Sequence, residues 1–279
     1  MIKNIYASQR NLTFKLIFID ILKGVSDGKE LGFRLFLKDL KSSYEKSFLG
    51  YVWIILPSLV TAGIWILLNQ QQIIKVTNTP MTYTAYCICG TTLWSLFVES
   101  INKPLARYRG AIGMMVKLNF PRESLLVASF YDLLHSIFIK IFILIPLLWY
   151  LGYTPGLHSI LGIIAMIVLV FIGLSIGIFL TPFGLMYNDV SKIMSIGLPF
   201  FMYITPVVYP IVKGSIFSKL QILNPISAWL EYSRSFFGNY DVNSFGILCF
   251  WFFISFILII FGLIILRITL PIIVERSGS

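Results

Sequence analysis

The stretch LGYVWIILPSLVTAGIWILL, residues 49–68, decides the fold. Its twenty residues carry no charge. At a rise of about 1.5 Å per residue such a helix spans about 30 Å, the thickness of a bilayer's hydrocarbon core. A soluble helix needs a polar face, and this stretch has none. Five further apolar stretches follow, at about 81–101, 124–151, 159–186, 193–212 and 245–266. They are too long and too uniformly apolar for barrel strands, which alternate, and lipid admits only helices or closed barrels. The sequence therefore predicts an all-α integral membrane protein with six transmembrane helices.

Composition agrees. Mean hydropathy is +0.86, and only 12% of residues are charged, about half the share of a soluble domain. The 279 residues hold six spans with modest connections, leaving no segment for a soluble catalytic domain of ordinary size. Two units are expected: a cytoplasmic arm over 1–48 and a six-span domain over 49–279. The cysteines, Cys87, Cys89 and Cys249, all lie in apolar stretches and are odd in number, so no disulfide framework is implied. The CxC pair reads as small apolar packing, since one pair cannot complete a tetrahedral metal shell. No metal site is expected.

Charge sets the orientation. Seventeen of the 22 basic residues fall before Leu49, between Asn102 and Glu123, at Lys192, or at Arg267 and Arg276. Lys75, Lys213, Lys219 and Arg234 fall in the alternate connections, and Lys140 lies inside a span. The positive-inside rule then places both termini in the cytoplasm of a multi-pass protein. Anionic headgroups and topology account for the net charge of +10 without nucleic acid. Lys15, Asp20 and Lys23 interrupt the first apolar segment, so no cleavable signal peptide is expected.

Within the arm, Phe14, Ile17, Phe18, Ile21, Leu22 and Val25 recur at helical spacing. A break is expected at Gly24 to Gly28, after which Asp27 and Glu30 read as a capping box. In the second helix Phe33, Phe36, Leu37, Leu40, Tyr44 and Phe48 form one stripe, with Arg34, Lys38 and Lys41 beside it. Such a helix lies in the inner membrane interface. Its basic flank is either a solvated anchor or a receptor for an anionic lipid headgroup.

Several local sequences form a pattern in register. The amphipathic helix runs into KDLKSSYEKSFLGYVWIILP, ending at Pro57. VKLNFPRES runs from Val116 to Ser124, MYNDVSKI from Met186 to Ile193, and YITPVVYP from Tyr203 to Pro210. LNP follows at Leu223 to Pro225. Together, from about Glu30 to Glu275, they resemble the permease subunits of ABC exporters of bacterial polysaccharides, which move lipid-linked O-antigen, capsule or teichoic acid. Phe120, Pro121, Arg122, Glu123, Asp189, Asn224 and Pro225 carry the resemblance. The chain departs from the pattern at Ser43 and Asn188, where the family commonly has arginine; Lys41, Lys46 or Lys192 would supply the missing charge. The arm before Glu30 is longer than the resemblance leads one to expect.

The resemblance implies a homodimeric channel in a bacterial inner membrane, driven by two copies of a separate ATPase. The residues fit that division of labour. No GxxxxGK[ST] loop occurs, so ATP and Mg would be bound by the partner and this chain is not an enzyme. The basic segment 102–123, with a short helix in it, is the expected ATPase-docking loop, through Arg107, Arg109, Met114 and Met115. A glycan presents flat C–H faces that stack on rings, so Tyr51, Trp53, Trp94, Phe97, Phe200, Phe201 and Tyr203 are candidate channel aromatics. The ordinary interfacial belt is the competing account, strongest for Trp149 and Tyr150. Arg34, Lys38 and Lys41 would receive the lipid headgroup.

Glu99, Asp132, His135 and Lys140 lie within spans, where ionisable groups default to function. Asp132 and His135 share a helix face. A polar cluster between helices is the expected arrangement, with a proton relay as the alternative. Beyond the fifth span, Asn224 as cap and Pro225 at the first helical position start an amphipathic helix that ends near Gly238. Short re-entrant helices in this region would dip into the outer leaflet. The expected function is export of a lipid-linked polysaccharide, O-antigen first. An ABC exporter of drugs or other lipids, or a proton-driven secondary transporter, are the alternatives; no internal repeat favours the last.

Overall fold

A computed structural model describes residues 14–45, 47–76, 79–154, 156–211, 221, 224–240 and 245–278. The arm's first thirteen residues, together with Lys46, Val212, Lys213, Lys219 and Leu223, lie outside the described residues. The described chain is helical throughout: α1 Phe14–Asp27, α2 Lys29–Tyr44, α3 Val52–Gln70, α4 Tyr83–Lys117, α5 Ser124–Tyr150, α6 Leu157–Met186, α7 Asn188–Ile204, α8 Pro225–Gly238 and α9 Phe245–Gly278. Among the described residues, four helices are long and apolar enough to cross a membrane: α3, α5, α6 and, in α9, Gly246–Arg276. The protein is an all-α membrane protein. α4 and α7 occupy the places of the second and fifth expected spans.

α6 is the centre of the bundle, in contact with α4, α5, α7, α8 and α9. Glycines bring it close to its neighbours. A Cβ at Gly173 would stand 1.8 Å from Ser100 Oγ, and one at Gly177 would stand 2.5 Å from the carbonyl oxygen of Ile101. α9 meets α6 in the same way, its Gly262 lying against the backbone of Phe179. Without a hydrophobic drive between helices in lipid, such close backbone approach is what holds them.

Four boundaries differ from the sequence-based expectation. The break expected over Gly24 to Gly28 narrows to Gly28 alone, between α1 and α2: Gly28 keeps a right-handed conformation, and the bonds from Gly28 N to Gly24 O and from Gly32 N to Gly28 O bridge it. Asp27 and Glu30 form no capping box; Glu30 pairs with Arg34 at 2.6 Å instead. The glycines serve a crossing. A Cβ at Gly28 would stand 2.9 Å from Ser124 N, so the arm lies directly on the first turn of α5.

The expected loop at 102–123 is the second difference. α4 continues unbroken through Pro104 to Lys117. The segment from 105 to 117 holds no further proline and, Gly110 and Gly113 aside, is rich in helix formers, which sustains it. α7, third, ends at Ile204 and not near Val212. Thr205 is extended ahead of Pro206, as a residue before proline prefers. α9, fourth, runs past Leu266 to Gly278, 34 residues in all. Of the re-entrant region, α8 is described and matches its expected start and end.

Candidate functional site

Three consecutive residues of α4 reach into three different neighbours. Arg107 is ion-paired with Asp39 of α2 and with Asp132 of α5. The Tyr108 hydroxyl donates to the carbonyl of Arg122 at 3.0 Å, in the turn before α5. Arg109 donates to the carbonyl of Gly184 at 2.6 Å, in the last turn of α6. Successive helical residues point about 100° apart, so one short segment grips the elements around it. Lys103, one turn earlier, stands 3.7 Å from Asp132.

These groups wall a cavity of about 650 Å³ bounded by α2, α4, α5 and Ile54 of α3. Lys38, Ser42 and Ser43 line it from α2, and Glu99, His135 and Ser136 lie at its inner end. Gly110 and Glu99, both on its wall, are about 16 Å apart along α4. At that inner end Glu99 accepts from Ser136 at 2.6 Å and from Lys140 at 3.2 Å, and Lys140 also donates to Ser95 at 3.0 Å. The four in-span ionisable groups therefore belong to one polar cluster. Asp132 and His135 do share a face. Each buried charge has an opposite charge beside it, which is how a low-dielectric interior tolerates them.

The expected docking residues divide. Arg107 is turned inward, its side chain 10% exposed. Met115 is buried with Leu125, Leu266 and Leu270, and Met114 lines the cavity. Arg109 is exposed but bonded to α6. The outward surface of this helix end is Gly113, Val116, Lys117 and Leu118. Arg107, Met114 and Met115 thus hold the bundle together and present little to a partner.

The motif at 120–123 lies at a second, smaller cavity of about 300 Å³, with α1 and α9 as its other walls. Glu123 accepts from Arg267 at 2.5 Å, and Arg267 also stands 3.7 Å from Asp20. Phe120, Pro121 and Arg122 line the same cavity, so the motif joins the arm, α5 and α9. Asp189 is exposed in the first turn of α7, 3.5 Å from Lys192, where a carboxylate suits the helix dipole.

The expected headgroup residues are exposed on α2, but they are not equivalent. Arg34 is tied to Glu30, Lys38 faces the large cavity, and Lys41 faces outward. The channel aromatics also separate. Trp53, Phe200 and Tyr203 are more than half exposed, and Tyr51 is half exposed with its ring 5.6 Å from that of His135. Trp94 and Phe97 are 7% and 1% exposed, their rings in contact at 5.6 Å and tilted by 39°, with Trp94 also against Phe201. They are core residues of this chain, because their face of α4 turns toward α6 and α7. Trp65 and Tyr203, with ring centroids 6.3 Å apart, place α3 beside α7.

A cluster that the sequence reading missed lies at the other end of the bundle. Arg234 of α8 is fully buried. It donates to the carbonyls of Pro206 and Val207, pairs with Glu231 at 2.7 Å, and lies 3.7 Å above the Tyr86 ring. Glu231 also accepts from Tyr86 and Tyr240. Burial, and then the Glu231 charge, hold the Tyr240 phenol well above its ordinary value, so it remains a donor. Asn224 caps α8 through Ile226 N and donates to Thr205. Arg234 thereby satisfies the carbonyls of Pro206 and Val207, just beyond the end of α7. A Glu and an Arg three apart in an apolar segment were the available signal.

No protein-family model matches the chain. Curated proteins do. It is 28% identical, over 82% of its length and 87% of the other's, to an "O-antigen export system permease protein RfbA" of Klebsiella pneumoniae. A second Klebsiella pneumoniae protein of the same name is 26% identical over 74% of this chain and 79% of that one. The chain is similar to proteins named as O-antigen export permeases. A third such relative, from Myxococcus xanthus, is 23% identical over 72% of this chain. The similarity spans most of each permease, so it covers the bundle as a whole, and the resemblance read from the motifs stands.

Proposed function

We propose that this chain is the membrane-spanning subunit of an ATP-driven exporter that carries a lipid-linked polysaccharide, O-antigen in the first instance, across the bacterial inner membrane. The observation that carries the reading is the similarity to three proteins named as O-antigen export permeases, over about three quarters or more of each chain. The motif at 120–123 and the α7–α8 junction support it by joining distant helices into one framework.

Two copies of this chain would form the path. In α3 only 17% of the membrane window is buried, and Met194 alone is buried in α7 among the described residues. These two neighbouring helices thus keep a broad apolar and aromatic face uncovered, which a second copy would cover in part and line in part. Six spans, with both termini in the cytoplasm, follow if α4 and α7 cross as well. Two ATPase subunits, binding ATP and Mg, would dock on the outward end of α4. Lys38 and Lys41 would meet the phosphate of the incoming lipid.

Deleting the chain should abolish surface polysaccharide, and tagged chain should bring down a nucleotide-binding protein from membranes. Intact surface polysaccharide in the deletion strain, or ATP hydrolysis by the pure chain alone, would sink the reading.

A further inference from the structure

We infer that Arg107 is a positioning residue that couples the interfacial helix α2 to movement of the inner end of α4, by way of Asp39. The inference rests on the exporter reading. Its basis is the arrangement of charges.

Arg107 lies between two carboxylates from different helices, one on the arm and one on the bundle. The two differ in setting. Asp132 is 11% exposed, lies inside the bundle and is also approached by Lys103. Asp39 is 46% exposed and lies on α2, where it borders the large cavity. Two carboxylates on one guanidinium make a fixed geometry, because the planar fork offers each of them its own N–H groups. Neutralising Asp39 leaves Arg107 with Asp132, so no buried charge is stranded. The bundle keeps its polar cluster, and only the link to α2 is cut.

Position gives this link its role. The outward residues Gly113, Val116 and Lys117 of α4 are about two to three turns beyond Arg107 on the same unbroken helix. A force applied there reaches Arg107 before it reaches the membrane core. Tyr108 and Arg109 pass it to the α4–α5 turn and to α6, both parts of the bundle. Arg107 is the member of the three that reaches the arm. Lys38, next to Asp39, would then move relative to the cavity as the stroke proceeds. Bonded, rigid elements with two arrangements are what carries coupling between sites.

The test compares Asp39→Asn, Asp39→Glu and the wild type in the assembled complex within cells. Surface polysaccharide, the membrane content of chain and ATPase, and ATP hydrolysis by the purified complex are measured for each. For Asp39→Asn we expect at least a tenfold loss of surface polysaccharide, with complex content and basal hydrolysis within twofold of wild type. Asp39→Glu restores export to at least half. Export unchanged in Asp39→Asn overturns the inference. So does a parallel fall in hydrolysis or complex content, which makes Asp39 a docking or folding residue, and so does an Asp39→Glu protein as defective as Asp39→Asn. The wild-type complex reports separately on the exporter reading: absence of any co-purifying ATPase overturns that reading and the inference with it.

Discussion

Arg234 lies against Gly90 so closely that a Cβ at Gly90 would stand 2.2 Å from the guanidinium Nη2 and 2.0 Å from the carbonyl oxygen of Val207. The two residues come from α8 and α4, and the space left by the missing side chain is where a buried cation meets the end of α7. Gly90→Ala should therefore be costly even though alanine is the better helix former. Overpacking of this kind costs about 1–3 kcal/mol. Thermal unfolding in detergent should show Gly90→Ala less stable than wild type, whereas Gly63→Ala, with open space around it, should match or exceed wild type.

The Glu99–Lys140 pair should respond unequally to the loss of either member. Lys140 is almost wholly enclosed, while Glu99 borders the large cavity. Glu99→Gln strands a buried ammonium, and breaking a buried pair from one side costs about 3–5 kcal/mol. Lys140→Met leaves a carboxylate that still has Ser136 and the cavity. Chemical unfolding should rank Glu99→Gln below Lys140→Met, and the double variant should recover much of the loss. Equal single losses that simply add would refute the pairing.

Rings that were grouped together by type should part company on mutation. Trp53→Ala, Phe200→Ala and Tyr203→Ala combined should cut surface polysaccharide severalfold while the protein remains in the membrane at wild-type level. Trp94→Ala should lower the amount of folded protein, since emptying a buried aromatic site costs about 3–5 kcal/mol. Normal export from the triple variant would remove these rings from the path.

Docking is checked by chemistry at the inner end of α4. Cysteines at Gly113 and Lys117 should crosslink to the ATPase in membranes, and one at Met115 should not, because Met115 packs inward. Full labelling of Gly113→Cys and Lys117→Cys by a soluble thiol reagent in the assembled complex would place the contact elsewhere.

Hydropathy picked out α3, α5, α6 and α9 because each carries an almost uncharged run of bilayer length. It could not place the inner end of α4, since Arg107 and Arg109 look the same in sequence whether they face water or a carboxylate. Polarity suggested a loop there, and the helix continued because its charges had partners on α2, α5 and α6. The cap at Asn224 and Pro225 was legible because it is local. The Arg234 cluster was not, because Tyr86, Pro206 and Tyr240 meet it only in three dimensions. The glycines at 24 and 28 suggested a wider break than the single residue Gly28 for a similar reason: the crossing with the start of α5 that requires them is far away in sequence.

α4 is 35 residues long, about 52 Å of helix. Its outer end carries Tyr86 and Gly90, on which Arg234 rests, and its inner end carries the arginine that holds the arm. A bar of this length acts as a lever: turning about Pro104, a tilt of about 5° moves its Tyr83 end, about 31 Å away, by about 3 Å. Pro104 is the interior position where the hydrogen-bond ladder lacks a donor, and so the natural fulcrum. Whatever pushes on the Lys117 end of α4 is thus felt at its Tyr83 end, and the two ends of the bundle keep time with each other through a single helix.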